Sequence, residues 1–286
     1  MQIYVGCSGW SYSSWKGPFY PIDLDNSEWL NYYSHVFDFV EIDSSFYRIP
    51  TAFTVKNWLK RTPDNFRFTA KFPKVITHDK RLKNVENELE IFFSQIDPLQ
   101  DKTSALLIQL PPSLGIVEGL EALREFVPEL DNRFRYAVEV RNNSWFQDLA
   151  YSFFANNNIC MVWSQLAGLR TPPVITTDFL YVRFIGDRRI GEEDFGRIQI
   201  DRIAEMQYWS DKVKQITENV ADRVELAIVA ANNHYAGFGP GTANVFRRLL
   251  GLSEAIWKDK EVSLIEEKQH KSLPTKQTTL SDFCIF

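Results

Sequence analysis

The sequence predicts an α/β protein folded as a single (β/α)8 barrel of the TIM type. Eight short runs rich in β-branched and aromatic residues alternate with amphipathic helical patterns, and this alternation is typical of a parallel sheet. Eight such units fit the roughly 250 residues that a barrel of this type uses. The chain has 286 residues, of which 44% are hydrophobic. We therefore expect a barrel over residues 1–256 and a polar, flexible tail over residues 257–286.

The predicted strands are separated by helical stripes and loop signals. Stripes such as Leu89, Phe92 and Ile96 indicate helices with one buried face, and Ser27 is predicted to cap the helix that carries Leu30. The connection over residues 165–178 is too short for a covering helix, so the sixth unit should be irregular. The strands are predicted at residues 3–8, 39–46, 67–72, 105–110, 135–141, 159–164, 179–186 and 224–231.

Composition excludes several classes of protein. The 32 Lys and Arg against 37 Asp and Glu give a net charge of -5, which disfavours a broad nucleic-acid surface. Cys7, Cys160 and Cys284 are far apart, so neither a disulfide framework nor a zinc finger is predicted. The first residues lack the pattern of a signal peptide, and no apolar run approaches the roughly 20 residues that span a bilayer. We expect a cytoplasmic protein with no membrane partner.

Polar residues end nearly every predicted strand on the inward face. Alternate side chains of a barrel strand point inward, and chemistry occurs at the carboxyl ends of the strands. One interpretation is a salt-bridge lattice of Glu41, Glu139, Lys71 and Arg183. The other is a binding cavity in which these four residues are catalytic. The predicted substrate-binding residues are Ser8, Trp10, Asp43, Gln109, Arg141, Asn232, Asn233 and Gly239.

Glycines after the eighth strand suggest an anionic ligand. Residues 237–241 precede a helix predicted to begin near Thr242, and backbone N–H groups at a helix start often hold phosphate. The four histidines show no metal-ligand spacing, so no zinc site is predicted. Mg²⁺ or Mn²⁺ held by Glu41, Asp43 and Glu139 is an alternative, since hard cations prefer oxygen ligands. Dinucleotide and P-loop motifs are absent from the sequence.

Several motifs in order resemble the DUF72 (YecE-like) family over roughly residues 1 to 250. This resemblance implies a TIM-type barrel whose biochemical role is undetermined. The family has been likened to endonuclease IV-type barrels, but the histidines that such a zinc enzyme needs are missing here. The motifs are GCSGWSY at residues 6–12, WKGPFYP at 15–21, VEIDSSFY at 40–47, FTAKFP at 68–73, ITH at 76–78, QLPP at 109–112, VEVR at 138–141, SWF at 144–146, YVR at 181–183 and NNHY at 232–235.

The last residues, 276–286, resemble the PIP box that docks on the sliding clamp PCNA. Leu280 and Phe283 would lie on one face of a 3₁₀ turn and fill an apolar pocket, while Gln277 makes polar contacts. Cys284 stands where a second aromatic residue is usual, so either Phe286 substitutes for it or the affinity for the clamp is lower. The alternative is a hydrophobic tail that folds back on the barrel. The resemblance implies an archaeal or eukaryotic protein that works in DNA replication or repair.

Three functions therefore stay open. The first is a clamp-tethered protein, either a hydrolase or phosphodiesterase-like enzyme or a binder, that acts on DNA or on a small phosphorylated ligand. The second is a metabolic enzyme that uses Glu41 and Glu139 on a sugar or other polar molecule, with Trp10, Tyr12 and Trp163 as aromatic walls. The third is a non-catalytic adaptor whose barrel is only a scaffold for the tail.

Overall fold

Parallel strands that alternate with helices make up the part of the chain described by the computed structural model, residues 1–219 and 223–257. The predicted clamp-binding residues Gln277, Leu280, Phe283 and Phe286 lie outside these ranges. The strands are β1 (Gln2–Ser8), β2 (Phe39–Ile42), β3 (Arg67–Lys71), β4 (Thr103–Gln109), β5 (Tyr136–Glu139), β6 (Ile159–Met161), β7 (Trp163–Leu166), β8 (Leu169–Arg170), β9 (Phe179–Gly186) and β10 (Leu226–Ala231).

Helices follow most of the strands. The α-helices are α1 (Trp29–Val36), α2 (Ala52–Lys60), α3 (Glu86–Ile96), α4 (Ile116–Phe126), α5 (Asp148–Asn156), α6 (Ile203–Asn219), α7 (Asn233–Ala236) and α8 (Gly239–Leu250). A π-helical turn spans Val75–Asp79. Short 3₁₀ turns span Ser13–Trp15, Asn26–Glu28, Ser44–Phe46, Asp97–Lys102, Val127–Glu129, Asn143–Trp145 and Glu192–Asp194.

The described strands form one sheet in the order β6-β5-β4-β3-β2-β1-β10-β9-β7-β8. All neighbours pair in parallel except β7 and β8, which form an antiparallel hairpin. Ser8 at the end of β1 lies opposite Glu41 of β2, and Gln109 at the end of β4 lies opposite Glu139 of β5. The carboxyl ends of these strands therefore meet at one edge of the sheet.

The two faces of the sheet bury different residues, as the alternation in the sequence predicts. Val40, Phe68 and Val138 belong to the cluster that packs against the helices. Phe39, Leu107 and other side chains of the opposite face form a second buried cluster, which lies on the inner face of the sheet. Because side chains of a strand alternate between faces, the polar residues at the strand ends share the face of the second cluster.

Contacts across the interior show that the sheet is strongly curled. The hydroxyls of Thr69 on β3 and Tyr181 on β9 are 2.6 Å apart, although β2, β1 and β10 lie between these two strands. In a flat sheet that separation would be roughly 19 Å, four spacings of about 4.8 Å. Only curvature can bring the two side chains together.

The sixth unit is irregular, as the short connection predicts. The segment between β7 and β9 lies within the described residues; it contains no helix and holds the hairpin strand β8 instead. The predicted strand at 159–164 is divided at Val162 into β6, which pairs with β5, and β7, which pairs with β9. The closure of the sheet into an eight-stranded barrel stays a prediction.

Several predicted boundaries differ from those in the structure, and three of them have a clear local cause. β2 stops at Ile42 because Ser44–Phe46 form a 3₁₀ turn. Asp25, and not Ser27, caps the segment before α1, where its side chain accepts the N–H of Ser27. α8 begins at Gly239, three residues earlier than predicted, with Pro240 in its first turn. Each of these ends depends on local turn chemistry that hydrophobic periodicity does not report.

Two further findings bear on the class of protein. Within residues 1–219 and 223–257, every helix is too short or too polar to cross a bilayer. Cys7 and Cys160 are buried free thiols.

Candidate functional site

A cavity of about 290 Å³ opens at the carboxyl ends of the strands. It contains cationic, acidic, amide and aromatic side chains, so it offers contacts to a polar ligand. Its lining residues are Ser8, Gly9, Trp10, Ser11, Tyr12, Asp43, Ser44, Tyr47, Lys71, Gln109, Arg141, Arg183, Ile185, Arg188, Glu192, Phe195, Asn232 and His234.

Arg183 is the centre of a buried ion-pair network beneath this cavity. Its Nε and Nη2 atoms donate to the two carboxylate oxygens of Glu41 at 2.7 and 2.6 Å. Ser8 and Tyr181 also donate to Glu41. Burial would raise the pKa of Glu41, but the Arg183 charge and these hydrogen bonds hold it below the ordinary value. Glu41 is therefore an anion with its oxygens occupied.

Glu139 accepts hydrogen bonds from two arginines, Arg183 and Arg141. Arg183 Nη1 donates to one oxygen, and Arg141 Nε donates to the other at 2.6 Å. Burial opposes ionisation, yet the charges of Arg141 and Arg183 outweigh it and lower the pKa of Glu139 to about 2. Two carboxylates and two guanidinium groups thus neutralise each other, and Glu41 and Glu139 are both 0% exposed.

The catalytic role predicted for Glu41 and Glu139 does not fit this geometry. Neither carboxylate lines the cavity, and their oxygens accept hydrogen bonds from arginine. The predicted Mg²⁺ or Mn²⁺ set of Glu41, Asp43 and Glu139 is not assembled for the same reason. Within the described ranges, no three His, Cys, Asp or Glu side chains are grouped so that they could hold a metal ion.

Lys71 lines the cavity but stands apart from the network. The lattice predicted from sequence includes Lys71, whereas the fourth member in the structure is Arg141. Lys71 Nζ lies over the ring of Phe46, 3.8 Å from its centroid, and within the described chain no carboxylate forms an ion pair with it. Burial first, and then the charge of Arg183, lower the pKa of Lys71 to about 7.

Asp43 is another titratable group that lines the cavity. It follows β2, and the hydroxyl of Tyr12 lies 3.5 Å from its Oδ2 atom. Burial and the negative charge of Glu41 raise the pKa of Asp43 to about 6, against the opposing effect of Lys71. A lysine and a carboxyl group that both titrate near neutral pH can give and take protons under ordinary conditions.

Gln109 and His78 extend this polar wall. Gln109 lines the cavity, and its Nε2 atom is 3.5 Å from Nε2 of His78. His78 belongs to the π-helical turn after β3, a kind of turn that is frequent at functional sites. Burial and the nearby Lys71 charge lower the pKa of His78 to about 4, so this imidazole is neutral at pH 7.

Aromatic side chains surround the mouth of the cavity. Trp10, Tyr12, Tyr47 and Phe195 line it, and Tyr47 is 75% exposed. Trp163, which the sequence suggests as another wall, is buried on the outer face of the sheet, where it stacks on Trp209 of α6.

The glycine segment after β10, residues 237–241, does not line the cavity. Asn232 lines the cavity, but Asn233 and Gly239 do not. The Oδ1 atom of Asn233 accepts from Trp15 Nε1 at 3.1 Å and from the N–H of Gly239 at 2.8 Å. This N–H is thus already used, and Gly239 is buried. Its position gives no support to the phosphate contact that the sequence predicts.

Eight of the residues selected from the sequence line the cavity: Ser8, Trp10, Asp43, Lys71, Gln109, Arg141, Arg183 and Asn232. Sequence reasoning did not select Arg188, Glu192 and Phe195, which lie in the long connection after β9. The signal available for these residues was the position of that connection, because loops that follow barrel strands form the active-site face. Their side-chain contacts carry no periodic signature.

Comparison with known proteins identifies relatives of this chain. The family model "Protein of unknown function DUF72" matches residues 4–266. UPF0759 protein YecE of Escherichia coli K12 is 33% identical over 145 residues, which are 51% of this chain and 50% of that protein. UPF0759 protein YunF of Bacillus subtilis is 29% identical over 156 residues, which are 52% of this chain and 54% of that protein. The chain thus spans about half the length of the curated relatives it matches.

Solved structures share the fold over most of the chain. A DUF72 family protein from Thermotoga maritima is 31% identical with a TM-score of 0.70, over 88% of this chain and 100% of that one. A DUF72 family protein from Enterococcus faecalis has a TM-score of 0.71 at 22% identity, over 88% of this chain and 96% of that one. The second similarity shows the fold alone.

Proposed function

This chain belongs to the DUF72 family of proteins of unknown function, and we propose that its strand-end cavity binds a small anionic metabolite on which Lys71 and Asp43 act by proton transfer. The observation that carries the proposal is Lys71. It is a buried lysine that faces an open cavity and has no carboxylate partner within the described chain. Buried charges are ordinarily paired, so such a lysine is better explained by a ligand or a reaction than by stability.

The charges around the cavity favour an anionic ligand. Arg183 is neutralised by Glu41 and Glu139, but Arg141 uses only Nε on Glu139. Its two terminal nitrogens form no hydrogen bond with the described residues, and Arg141 lines the cavity. A guanidinium group with two free nitrogens matches a phosphate or carboxylate group. We therefore assign anion binding to Arg141.

A ligand screen tests this proposal. Thermal-shift and calorimetric titrations would use phosphorylated and carboxylated metabolites, with inorganic phosphate as the simplest member. Arg141→Gln is expected to weaken the binding of a hit at least about tenfold, or about 1.4 kcal/mol. The control is Arg133→Gln, because Arg133 is an exposed arginine outside the cavity. Equal affinities of the two variants, once both are shown to fold, would contradict the assignment.

A polar uncharged sugar is a second ligand class for the same cavity. Tyr47 and Trp10, which both line the cavity, support it, since an aromatic side chain can stack on a sugar ring while polar groups bind the hydroxyls. The same titrations with neutral sugars separate the two ligand classes. A neutral sugar that binds with the same affinity to the unchanged protein and to Arg141→Gln would favour a sugar ligand over an anionic one.

We also propose, from the sequence alone, that the C-terminal peptide binds the sliding clamp PCNA and so links the protein to DNA replication or repair. The support is the spacing of Gln277, Leu280 and Phe283 at the end of a polar segment. A tether of this kind would let an acidic chain work beside DNA without a large basic surface.

Titration of PCNA with the full chain and with a chain that ends at Pro274 tests this second proposal. We expect binding by the full chain and at least about a tenfold loss after truncation. A matched full-length control replaces Leu280 and Phe283 by alanine. Equal affinity of the full and truncated chains would leave the cavity as the sole basis for function.

We further infer that the curled sheet closes into the eight-stranded barrel that the sequence predicts. The support is that Val162 alone separates β6, which pairs with β5, from β7, which pairs with β9. The N–H of Val162 itself donates to the carbonyl of Val138 at 3.0 Å. A crystal structure in which the backbone hydrogen bonds continue from β5 through β6 and β7 to β9 without a gap would bear this out.

A further inference from the structure

Two buried lysines of this protein have opposite surroundings. Lys102 is 7% exposed, and its Nζ donates to the carbonyl oxygens of Thr62 and Pro63 at 2.9 and 2.7 Å. Lys71 is 9% exposed, and its described contact is the face of the Phe46 ring. Lys102 therefore has the hydrogen bonds of a structural ammonium group, whereas the Lys71 amine has no hydrogen-bond partner within the described chain and the Lys71 side chain lines an open cavity.

Burial and the charged groups around Lys71 favour the neutral amine, against the face of the Phe46 ring, which favours the ammonium form. Arg183 and Arg141 raise the cost of a further positive charge, and the opposing carboxylates Glu41 and Glu139 are already paired with these arginines. A neutral lysine amine in a partly desolvated site is a nucleophile, and its characteristic partner is a carbonyl carbon.

We propose that Lys71 forms an imine with the carbonyl group of a small aldehyde or ketone bound in the cavity, with the anionic group of that molecule held by Arg141. The proposal rests on the cavity being the small-molecule site proposed above, and it names the substrate class of that site. It makes Lys71 a catalytic residue, because Nζ bonds to the reacting carbon.

The step balances with groups that line the cavity. The lone pair of Nζ bonds to the carbonyl carbon while the C=O π pair moves to oxygen, and one proton passes from nitrogen to oxygen to give a carbinolamine. Protonated Asp43 then gives its proton to the hydroxyl, which leaves as water while the nitrogen lone pair forms the C=N bond. The products are a protonated imine, water and the Asp43 carboxylate, with no net oxidation.

Asp43 suits this role by position and by chemistry. It lines the same cavity as Lys71, and the Lys71 charge acts on its ionisation. Because the pKa of Asp43 is raised to about 6 by burial and by Glu41, both of its protonation states are populated near neutral pH. The same carboxylate can take the proton back when water returns to hydrolyse the imine.

Reductive trapping tests the proposal on the full chain. The protein is incubated at pH 7 with glyoxylate, a small aldehyde that carries a carboxylate, and sodium cyanoborohydride, which reduces an imine to a stable secondary amine. Peptide mapping by mass spectrometry is expected to find the adduct on Lys71 at least about tenfold above that on Lys56, an exposed lysine of α2, because far more of a low-pKa amine is neutral at this pH. Glycolaldehyde, which lacks the carboxylate, should be trapped less.

Variants separate the chemistry from folding. Lys71→Met should lose the specific adduct, and Lys56→Met should keep it. If Lys71→Met does not fold, Arg141→Gln provides a second measurement, since it keeps the amine and should reduce trapping of glyoxylate more than trapping of glycolaldehyde.

The outcomes distinguish the two proposals. Labelling of Lys71 no greater than that of exposed lysines overturns the imine. If the ligand screen still finds an anion that depends on Arg141, anion binding at the cavity stands without the imine. If neither labelling nor binding is found, both proposals fail.

Discussion

Replacing Arg183 by methionine is expected to lower the free energy of unfolding by about 3 to 5 kcal/mol, because it leaves buried carboxylates without their counter-charge. Glu41 would lose both guanidinium contacts and keep only the hydroxyls of Ser8 and Tyr181. Glu139 would keep only Arg141. Chemical denaturation at pH 7, with the slope compared between the two proteins, measures the loss.

Arg133→Met is the matched control for this substitution. Arg133 also pairs with two carboxylates, those of Asp97 and Asp131, but it lies at the surface. Exposed ion pairs contribute about 0 to 1 kcal/mol, so the control should lose little stability. Losses of similar size in Arg183→Met and Arg133→Met would show that the network contributes no more than a surface pair.

The stability deficit of Arg183→Met should narrow as the pH falls. In the unchanged protein, the pKa of Glu139 is lowered to about 2 from an ordinary value of 4.5. Its stabilisation is therefore present above about pH 4.5 and is lost as the pH falls toward 2. In the variant, burial without Arg183 favours the protonated carboxyl groups, so acid relieves the cost. A deficit that widens in acid would contradict this account.

After the loss of stability in Arg183→Met, the next largest expected effect concerns Lys71, whose amine should titrate with a midpoint near pH 7. Ordinary lysines titrate near 10.4, so at pH 7 the neutral fraction of Lys71 exceeds theirs by roughly a thousandfold. Because only the neutral amine reacts, acetylation of Lys71 by trace acetic anhydride should fall as the pH drops below 7 and level off above about 8. Competitive labelling against Lys56 across this range measures the midpoint.

The charges that face Lys71 determine the direction in which variants shift this midpoint. Arg183 and Arg141 lower the pKa, whereas Glu139 and Glu41 raise it, and burial has the largest effect. Arg141→Gln removes one like charge and should move the midpoint upward. Lys60→Met removes another exposed lysine of α2 and keeps the Lys56 reference, so it serves as the control and should leave the midpoint unchanged. A midpoint near 10 in the unchanged protein would exclude the neutral amine at pH 7.

The sequence predicted the parts of the site that depend on strand periodicity. Ser8, Lys71 and Gln109 each end a strand on the inward face, and Arg183 lies three residues before the end of β9. The structure places all four at the cavity. This inference succeeds because successive side chains of a strand point to opposite faces and parallel strands end at the same edge. The family resemblance rested on the same residues, and the family match confirms it.

Strand and helix periodicity could not predict where the long connections between the strands lie. Arg188 and Glu192 reach the cavity from the segment after β9. Gly239 does not line the cavity, and its N–H donates to Asn233. Neither placement follows a period of two or of 3.6 residues. Turn chemistry and contacts with distant residues determine where such segments lie.

What the sequence by itself determined about this protein is which side chains face the interior at the strand ends, since strand periodicity is a local property of the chain. Only the tertiary structure decided which of them are free to act. Arg183 reaches Glu41 and Glu139 across the curled sheet, from strands far apart in sequence. These two carboxylates are therefore bound as counter-ions, whereas Lys71 and Asp43 remain at the cavity. The curvature and register that select these pairs belong to the assembled sheet, because charges pair according to distance in space and not along the chain.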